Sequence, residues 1–394
     1  MTLGLRVITD AGSGVIRVIN MLFDDRFGGP QRRVIQVAIA LREYDVETTI
    51  VFPEGDGNAK AKAGEAGISS VRLPFQRPPA LRGGLISILK WCFFLPQDIY
   101  HFYRFFKKNK ADIIHVNGAV FLAPAIAAKL SGISLCWHLN DTVLPKPIAI
   151  IFGFLVRMMA NKIAVAAMAV ADHYGIPHDS AFLLYAPVDI NKYTPISHSE
   201  YKNKITVGVI GNWNPLKGID TFLYAMKKLK DVYLGDLEIK MAGAKLNTHR
   251  EYARKIEKII ADSGLSDCIT HKGFVEDVPA FLRSLDVLVM SSISEACPMA
   301  VLEGMASEVP VVSTDVGGVR ELVSIGGIEA GIVVPSSDPE AIAEAVLKLS
   351  GDSETRRRMG FNGRKLAKEN FSLDRCVERH LECYRSLDRQ MVRN

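Results

Sequence analysis

Asp286-Val-Leu-Val-Met290, then Ser291-Ser292, then Glu295-Ala-Cys-Pro-Met-Ala-Val-Leu-Glu303 is the stretch that decides how this chain folds. The first run is apolar and β-branched, the pattern of a buried strand, and residues 299–306 carry the apolar character of a helix packed on a sheet. Pro298 suits the first helical position, where its missing N–H costs nothing. A helix that begins there aims free N–H groups and a partial positive charge at whatever lies above the strand end, which favours phosphate. Glu295 then falls in the loop and Glu303 about one turn into the helix. Carboxylates so placed accept hydrogen bonds from hydroxyls on either side of a bound phosphate, which suits a sugar–diphosphate–nucleoside. Two unrelated helix-surface glutamates give the same spacing.

Working outward, short β-branched runs alternate with helical patterns along the whole chain, which predicts parallel sheets covered by helices. In the first half, residues 15–20, 48–52, 112–116 and 134–138 read as buried strands, with 5–9 as a further candidate; 31–43 and 120–130 read as helices. A second series starts at Ile205. Its strands are 205–210, 237–242, 268–272, 286–290, 309–313 and 331–334, and its helices 218–230, 250–263 and 278–285. Helices run from Pro339 to the end, with a long one over 373–391. The expected organisation is an N-terminal Rossmann-like domain over 1–190, a polar linker over 191–204, a C-terminal Rossmann-like domain over 205–371, and a C-terminal helix over 372–394 that crosses back to the first domain. Two such α/β domains facing each other bind ligands in the cleft between their strand ends.

The bulk numbers agree with an ordinary globular protein of more than one core: 394 residues, 48% hydrophobic and 23% charged. Through residue 190 there are 20 Lys+Arg against 15 Asp+Glu, and beyond it 28 against 28, so the whole excess of +5 is N-terminal. That is too mild for a nucleic-acid binder and compatible with an anionic surface or substrate. Six cysteines without a C-x-x-C pair favour reduced thiols and a cytoplasmic protein over disulfides or zinc. Cys297, with no adjacent base, reads as an apolar loop filler. The start lacks a basic segment followed by an apolar run, and the apolar runs 148–156 and 163–171 are each too short to span a bilayer. A soluble or peripheral protein is expected.

Several further segments carry candidate chemistry. Gly28-Gly29-Pro30, between a strand and a helix, lets backbone N–H groups approach a phosphate or sugar, although an ordinary tight turn needs the same residues. Gly211-Asn-Trp-Asn-Pro-Leu-Lys217-Gly218 follows the first strand of the second series without matching a Walker loop; Lys217 there either neutralises a diphosphate or is a solvated loop lysine. His115 and His138 end strands. His138, followed by Asn140-Asp141, is placed to donate to a sugar, and a structural histidine fits it nearly as well. Residues 89–110 mix eight aromatics with Lys90, Arg104, Lys107, Lys108 and Lys110, which suits a membrane surface, or a helix that buries its aromatics and solvates its lysines.

In this order the segments resemble the retaining glycosyltransferases built from two facing Rossmann-like domains, the GT-B architecture, and within them family 4, marked by an E-x7-E motif. The resemblance rests on Gly28-Gly29, Asp112-Ile-Ile-His115, Trp137-His138-Leu-Asn-Asp141, Val188-Asp189 with Tyr193-Thr-Pro195, Gly211 with Lys217-Gly218, Glu295 to Glu303 followed by Gly304-Met305-Ala306, and Pro310 to Gly318. It implies that Glu295 bonds the donor sugar and Glu303 the ribose, that Met299 and Ala300 offer backbone N–H groups to the diphosphate, and that Lys217 neutralises it. Phe274 and Val275 would line the base, and His138 would sit near the transferred sugar. Glu295, His138 and Lys217 are the expected catalytic set; Gly28, Gly29, Asn212, Phe274, Val275, Met299, Ala300 and Glu303 the expected donor-binding set.

The resemblance further implies no metal and no separate cofactor. The nucleotide-diphosphate-sugar is itself the substrate, with a UDP-sugar favoured over a GDP-sugar, and a glycan or lipid-linked molecule is the acceptor. Other readings on the same architecture are a nucleotide-sugar epimerase and a non-catalytic subunit. Asn212 stands where the family usually has an arginine, so Arg32 or Arg33 is a candidate replacement cation. Ala296-Cys297-Pro298 replaces the usual G-F-G or G-F-P, and Asn117 a common second histidine. These departures bear on donor identity more than on fold.

Overall fold

A computed structural model of the chain describes residues 14–78, 84–195 and 204–388. The candidate strand at 5–9, residues 196–203 of the expected linker and the last residues of the expected terminal helix lie outside the described residues.

The first sheet has seven strands: β1 (Ile16–Met21), β2 (Val46–Pro53), β3 (Ser70–Leu73), β4 (Ile113–Asn117), β5 (Ser134–Leu139), β6 (Lys162–Val165) and β7 (Ala181–Leu183). Their order is β3-β2-β1-β4-β5-β6-β7, and every pair of described register is parallel. β1, β4 and β5 are buried along nearly their whole length, which is why they read as continuous apolar runs rather than as alternating ones.

The second sheet contains β8 (Lys204–Ile210), β9 (Asp236–Ala242), β10 (Ile269–His271), β11 (Val287–Met290), β12 (Val311–Thr314) and, after the short hairpin β13 (Ser324–Ile325) and β14 (Ile328–Glu329), β15 (Gly331–Val334). Its order, β10-β9-β8-β11-β12-β15, is the doubly wound order of a dinucleotide-binding sheet, and its registered pairs are all parallel. Val289 on β11 pairs with Val209 on one side and Val312 on the other. β8 and β11 therefore flank the switch point, where the crossover direction reverses and the loops after the two strands part. Apolar layers pack on both faces. Phe222, Met226 and Ile256 belong to one core, and Leu302, Met305 and Phe371 to the other.

Most of the expected elements are present. Helix Gly29–Leu41 has Pro30 in its first turn, and the stretch 299–306 is the helix Met299–Ala306, with Pro298 as its N-cap rather than its first residue. The terminal helix runs over Leu373–Arg385. The aromatic segment is the helix Gly84–Asn109, with Pro96 inside it, and the two apolar runs become helix Lys146–Met159 and strand β6 with helix Met168–Tyr174. Sequence reading missed β3, β6 and β7. They are three or four residues long, too short for an alternation to show.

The chain forms two compact units. One comprises residues 1–138, 152–164 and 377–394, the other 139–151 and 165–376. Each unit is thus discontinuous in sequence. The C-terminal residues belong with the first sheet, where Tyr384 Oη lies 2.8 Å from His115 Nδ1 and Ser134 Oγ donates to Leu387 O at 2.9 Å.

Candidate functional site

Within the second unit, the segments after β8 and β11 are stitched together by their backbones. Ile293 N donates to Leu216 O at 2.8 Å, and Ser291 Oγ to Lys217 O at 3.1 Å. This fixes the reach of two side chains far apart in sequence. Lys217 Nζ lies 2.6 Å from Glu295 Oε1, and Ser292 Oγ donates to the same oxygen at 2.8 Å. The pair is partly enclosed, with the Glu295 side chain at 14% exposure and Lys217 at 34%, so a ligand can reach both. An ammonium beside a carboxylate, just before the N-terminus of helix Met299–Ala306, gives one cationic and one anionic contact point plus free backbone N–H groups.

The loop carrying Glu295 is held from several sides. Thr142 Oγ1 donates to Glu295 O at 3.1 Å and lies 3.2 Å from Ser294 Oγ. Gly318 N donates to Ala296 O at 2.8 Å, and Ala186 N donates to Cys297 Sγ at 3.3 Å. Gly317 has φ of 51°, and a Cβ there would overlap Glu295 O, so both the backbone conformation and the close approach require glycine. Ala296-Cys297-Pro298 is accordingly a braced loop, and Cys297 fills apolar space beside the core.

Glu303 is 4% exposed, and Tyr193 Oη donates to its Oε1 at 2.7 Å. The linker tyrosine thus fixes one carboxylate oxygen from 110 residues away. Phe274, at 73% exposure, follows Gly273, while Val275 packs on the core. Met299 and Ala300 are half-buried in the first turn of their helix. Asn212 Oδ1 accepts from Ala244 N at 2.9 Å, so this amide ties two loops together. Lys245 Nζ lies 4.9 Å from the Trp213 ring centroid and 2.6 Å from Glu257 Oε1.

Two expectations are corrected in the first unit. His138 is not at an accessible strand end: its ring is fully buried, with Nε2 3.2 Å from Arg33 Nη1 and Nδ1 3.1 Å from His115 Nε2. Arg33 is not available as a phosphate cation either, being 6% exposed and donating to Asn117 Oδ1 at 2.7 Å. Asn117 in turn donates to Asn20 Oδ1 at 2.7 Å. The register explains the cluster, since parallel pairing sets Asn20 beside His115 and Asn117 beside His138. Burial, followed by the neighbouring positive charges, holds both imidazoles well below their ordinary range and therefore neutral. A small cavity lined by Asn20, Arg33, Thr48, His115, His380 and Tyr384 belongs to this buried network.

Gly28 is extended, and a Cβ there would meet only Gln31 Oε1 at 3.5 Å, so packing within the chain does not demand a glycine. Sequence reasoning missed Thr142, Ser292 and Tyr193 as partners of the two glutamates. No local pattern marks Thr142 or Tyr193, because each acts through a tertiary contact, whereas Ser292 lies three residues before Glu295 in the same loop.

Two family models match end to end. One described as Glycosyltransferase Family 4 covers residues 27–192, and one described as Glycosyl transferases group 1 covers residues 193–366. The chain belongs to the family 4 glycosyltransferases, with the GT-B architecture of two Rossmann-like α/β domains. It is 31% identical over 242 residues to a D-inositol 3-phosphate glycosyltransferase of Paenarthrobacter aurescens, covering 58% of this chain and 57% of that protein. It is 28% identical over 244 residues to the lipopolysaccharide core biosynthesis mannosyltransferase LpsB of Rhizobium meliloti, covering 60% of this chain and 68% of the other. The chain spans about half to two thirds of the length of these curated relatives. Among solved structures, Anabaena Alr3699/HepE in complex with UDP superposes with a TM-score of 0.76 over 94% of this chain and all of the other, at 18% identity, a likeness of fold.

Proposed function

We propose that this protein is a metal-independent, retaining glycosyltransferase that moves a hexose from a nucleotide-diphosphate-sugar to a glycan or lipid-linked acceptor in cell-surface polysaccharide or glycoconjugate biosynthesis. The observation that carries the reading is the 2.6 Å pairing of Lys217 with Glu295 beside the helix that carries Glu303. In this reading Lys217 and the first N–H groups of helix Met299–Ala306 take the negative charge that develops on the departing diphosphate, stabilisation aimed where charge forms. Glu295 turns to the sugar hydroxyls. Glu303 holds the ribose through the carboxylate that Tyr193 orients, and exposed Phe274 stacks on the base. Gly28 and Gly29 admit the donor close to the backbone. Retention follows if the acceptor attacks from the face the diphosphate leaves, with a phosphate oxygen taking the acceptor proton.

The relatives' names, which include a lipopolysaccharide core mannosyltransferase, support a glycan or lipid-linked acceptor, and UDP in the Anabaena structure supports a UDP-sugar, with a GDP-sugar as the alternative. The place of action is the cytoplasm, at the inner face of the membrane, reached through residues 89–110. No described helix is long and apolar enough to cross a membrane.

The test is donor binding by calorimetry with UDP-, GDP- and ADP-sugars, followed by product analysis. One donor is expected to bind selectively, and Lys217→Ala and Glu295→Ala are each expected to cut transfer by roughly a hundredfold or more. If both variants bind donor and transfer sugar like the wild type, the assignment is wrong. Epimerised donor formed without acceptor identifies an epimerase instead.

A further inference from the structure

Helix Lys146–Met159 turns its bulkier apolar side chains outward. Ala149, Gly153 and Val156 face inward and are buried, whereas Ile150, Ile151, Phe154 and Met158 stand at 43%, 61%, 59% and 61% exposure. At about 100° per residue these four fall on one arc with Pro147, and Lys146 and Arg157 lie along one edge of it. An exposed apolar arc of this kind marks a docking face. Its surroundings select the partner. From Thr142 to Ala171 the chain has no acidic residue, while Lys146, Arg157 and Lys162 fall within that stretch. A face apolar at its centre and cationic at its rim complements an anionic lipid surface.

The neighbouring topology agrees. The crossovers from β3 to β4 and from β5 to β6 run in the same direction along the sheet, so right-handed connections put helices Gly84–Asn109 and Lys146–Met159 on the same face. Helix Gly84–Asn109 also shows Ile86, Leu89 and Phe93 at 83%, 59% and 78% exposure, with Lys90 exposed beside them. Its one acidic residue, Asp98, is buried, accepting from Gln76 N at 3.0 Å. Two helices thus offer the paired apolar and basic signals that stable peripheral binding requires.

We propose that the outward arc of helix Lys146–Met159 is a membrane-docking surface that lies in the interface of an anionic bilayer, with Ile151, Phe154 and Met158 inserted and Lys146 and Arg157 on the headgroups. Its length of 14 residues suits lying on the membrane, since spanning takes about 20. The proposal does not depend on glycosyl transfer, and its test reads binding alone.

The full chain is sedimented with phosphatidylcholine vesicles containing about one third phosphatidylglycerol, and with pure phosphatidylcholine vesicles. The wild type is expected to bind the anionic vesicles selectively. The double variant Ile151→Gln, Phe154→Gln, at exposed helix positions that tolerate glutamine, is expected to lose at least about tenfold in partition. Arg157→Glu alone is expected to lose about fivefold and carries the test if the double variant fails to fold. Variants that partition like the wild type overturn the proposal, as does equal binding to the two vesicle types. A wild type that ignores vesicles also overturns it; if that protein sediments as a dimer dissociated by Ile151→Gln, Phe154→Gln, the arc belongs to a second copy of the chain.

Discussion

His138 and His115 show how an environment decides what a residue does. Both rings are enclosed in a network with Arg33, Asn117 and Tyr384, and burial holds them neutral. The unfolded chain takes up protons near the ordinary histidine value of 6.5, while the folded chain does so only well below it. Between those values the unfolded state binds more protons, so stability rises with pH there. It is complete above about 6.5 and is lost as pH falls from there toward the folded values, by up to about 1.4 kcal/mol per pH unit for each ring. Urea midpoints are therefore expected to be flat between about pH 7 and 8 and to fall below about 6.5, with His138→Gln reducing the slope. A midpoint unchanged down to about pH 5 in the wild type contradicts the buried neutral pair. The sequence shows these histidines at strand ends. It does not show that Asn20, Arg33 and Asn117 converge on them, because those contacts come from sheet register and from a helix side chain reaching across. Glu295 and Lys217 were legible because each lies in the segment after a strand of the doubly wound sheet, and Glu303 because it lies about one turn into the helix that follows β11, places local pattern locates.

At the scale of elements, short pieces are secured by long-range carboxylates. Glu321, in helix Val319–Val323, accepts from Met168 N and Ala169 N at 2.9 Å each and from Tyr185 Oη at 3.0 Å. It caps helix Met168–Tyr174 in place of an own N-cap side chain, which Ala167 does not supply. Charge-assisted bonds of this kind contribute about 1.5–3 kcal/mol. Glu321→Ala is expected to lower unfolding free energy by at least that much in guanidinium titration, and a loss under about 0.5 kcal/mol sinks the capping role. Nothing near Met168 in the sequence announces this cap, since its donor and acceptor are about 150 residues apart. The long elements were readable for the opposite reason. β8, β9 and helix Ile219–Val232 carry their periodicity within themselves, whereas β3, β6 and β7 take their identity from the neighbour they pair with.

For the whole molecule, the decisive feature is that the last described helix, from Val377 on, belongs to the unit that holds the first described strands. Tyr384 is 1% exposed and meets His115, Cys383 Sγ lies 3.7 Å from Cys136 Sγ, and Leu381 and Leu387 are buried. Tyr384→Ala removes a large buried ring and leaves His115 Nδ1 short of that hydroxyl, so a loss of about 3–5 kcal/mol is expected in denaturant titration. A change under about 1 kcal/mol means that the helix end is a loose appendage. By itself the sequence determined the class of fold, the two series of α/β units, the positions of Lys217 and Glu295 in the segments after strands and that of Glu303 in the helix that follows, because apolar periodicity and punctuation by glycine and proline are local properties. Only the tertiary structure decided that Lys217 meets Glu295, that Tyr193 holds Glu303, that His138 is buried with Arg33, and that the bulky side chains of helix Lys146–Met159 point outward. Each of those depends on which strands lie side by side and which face a helix turns to its sheet, and these are settled when distant segments pack together.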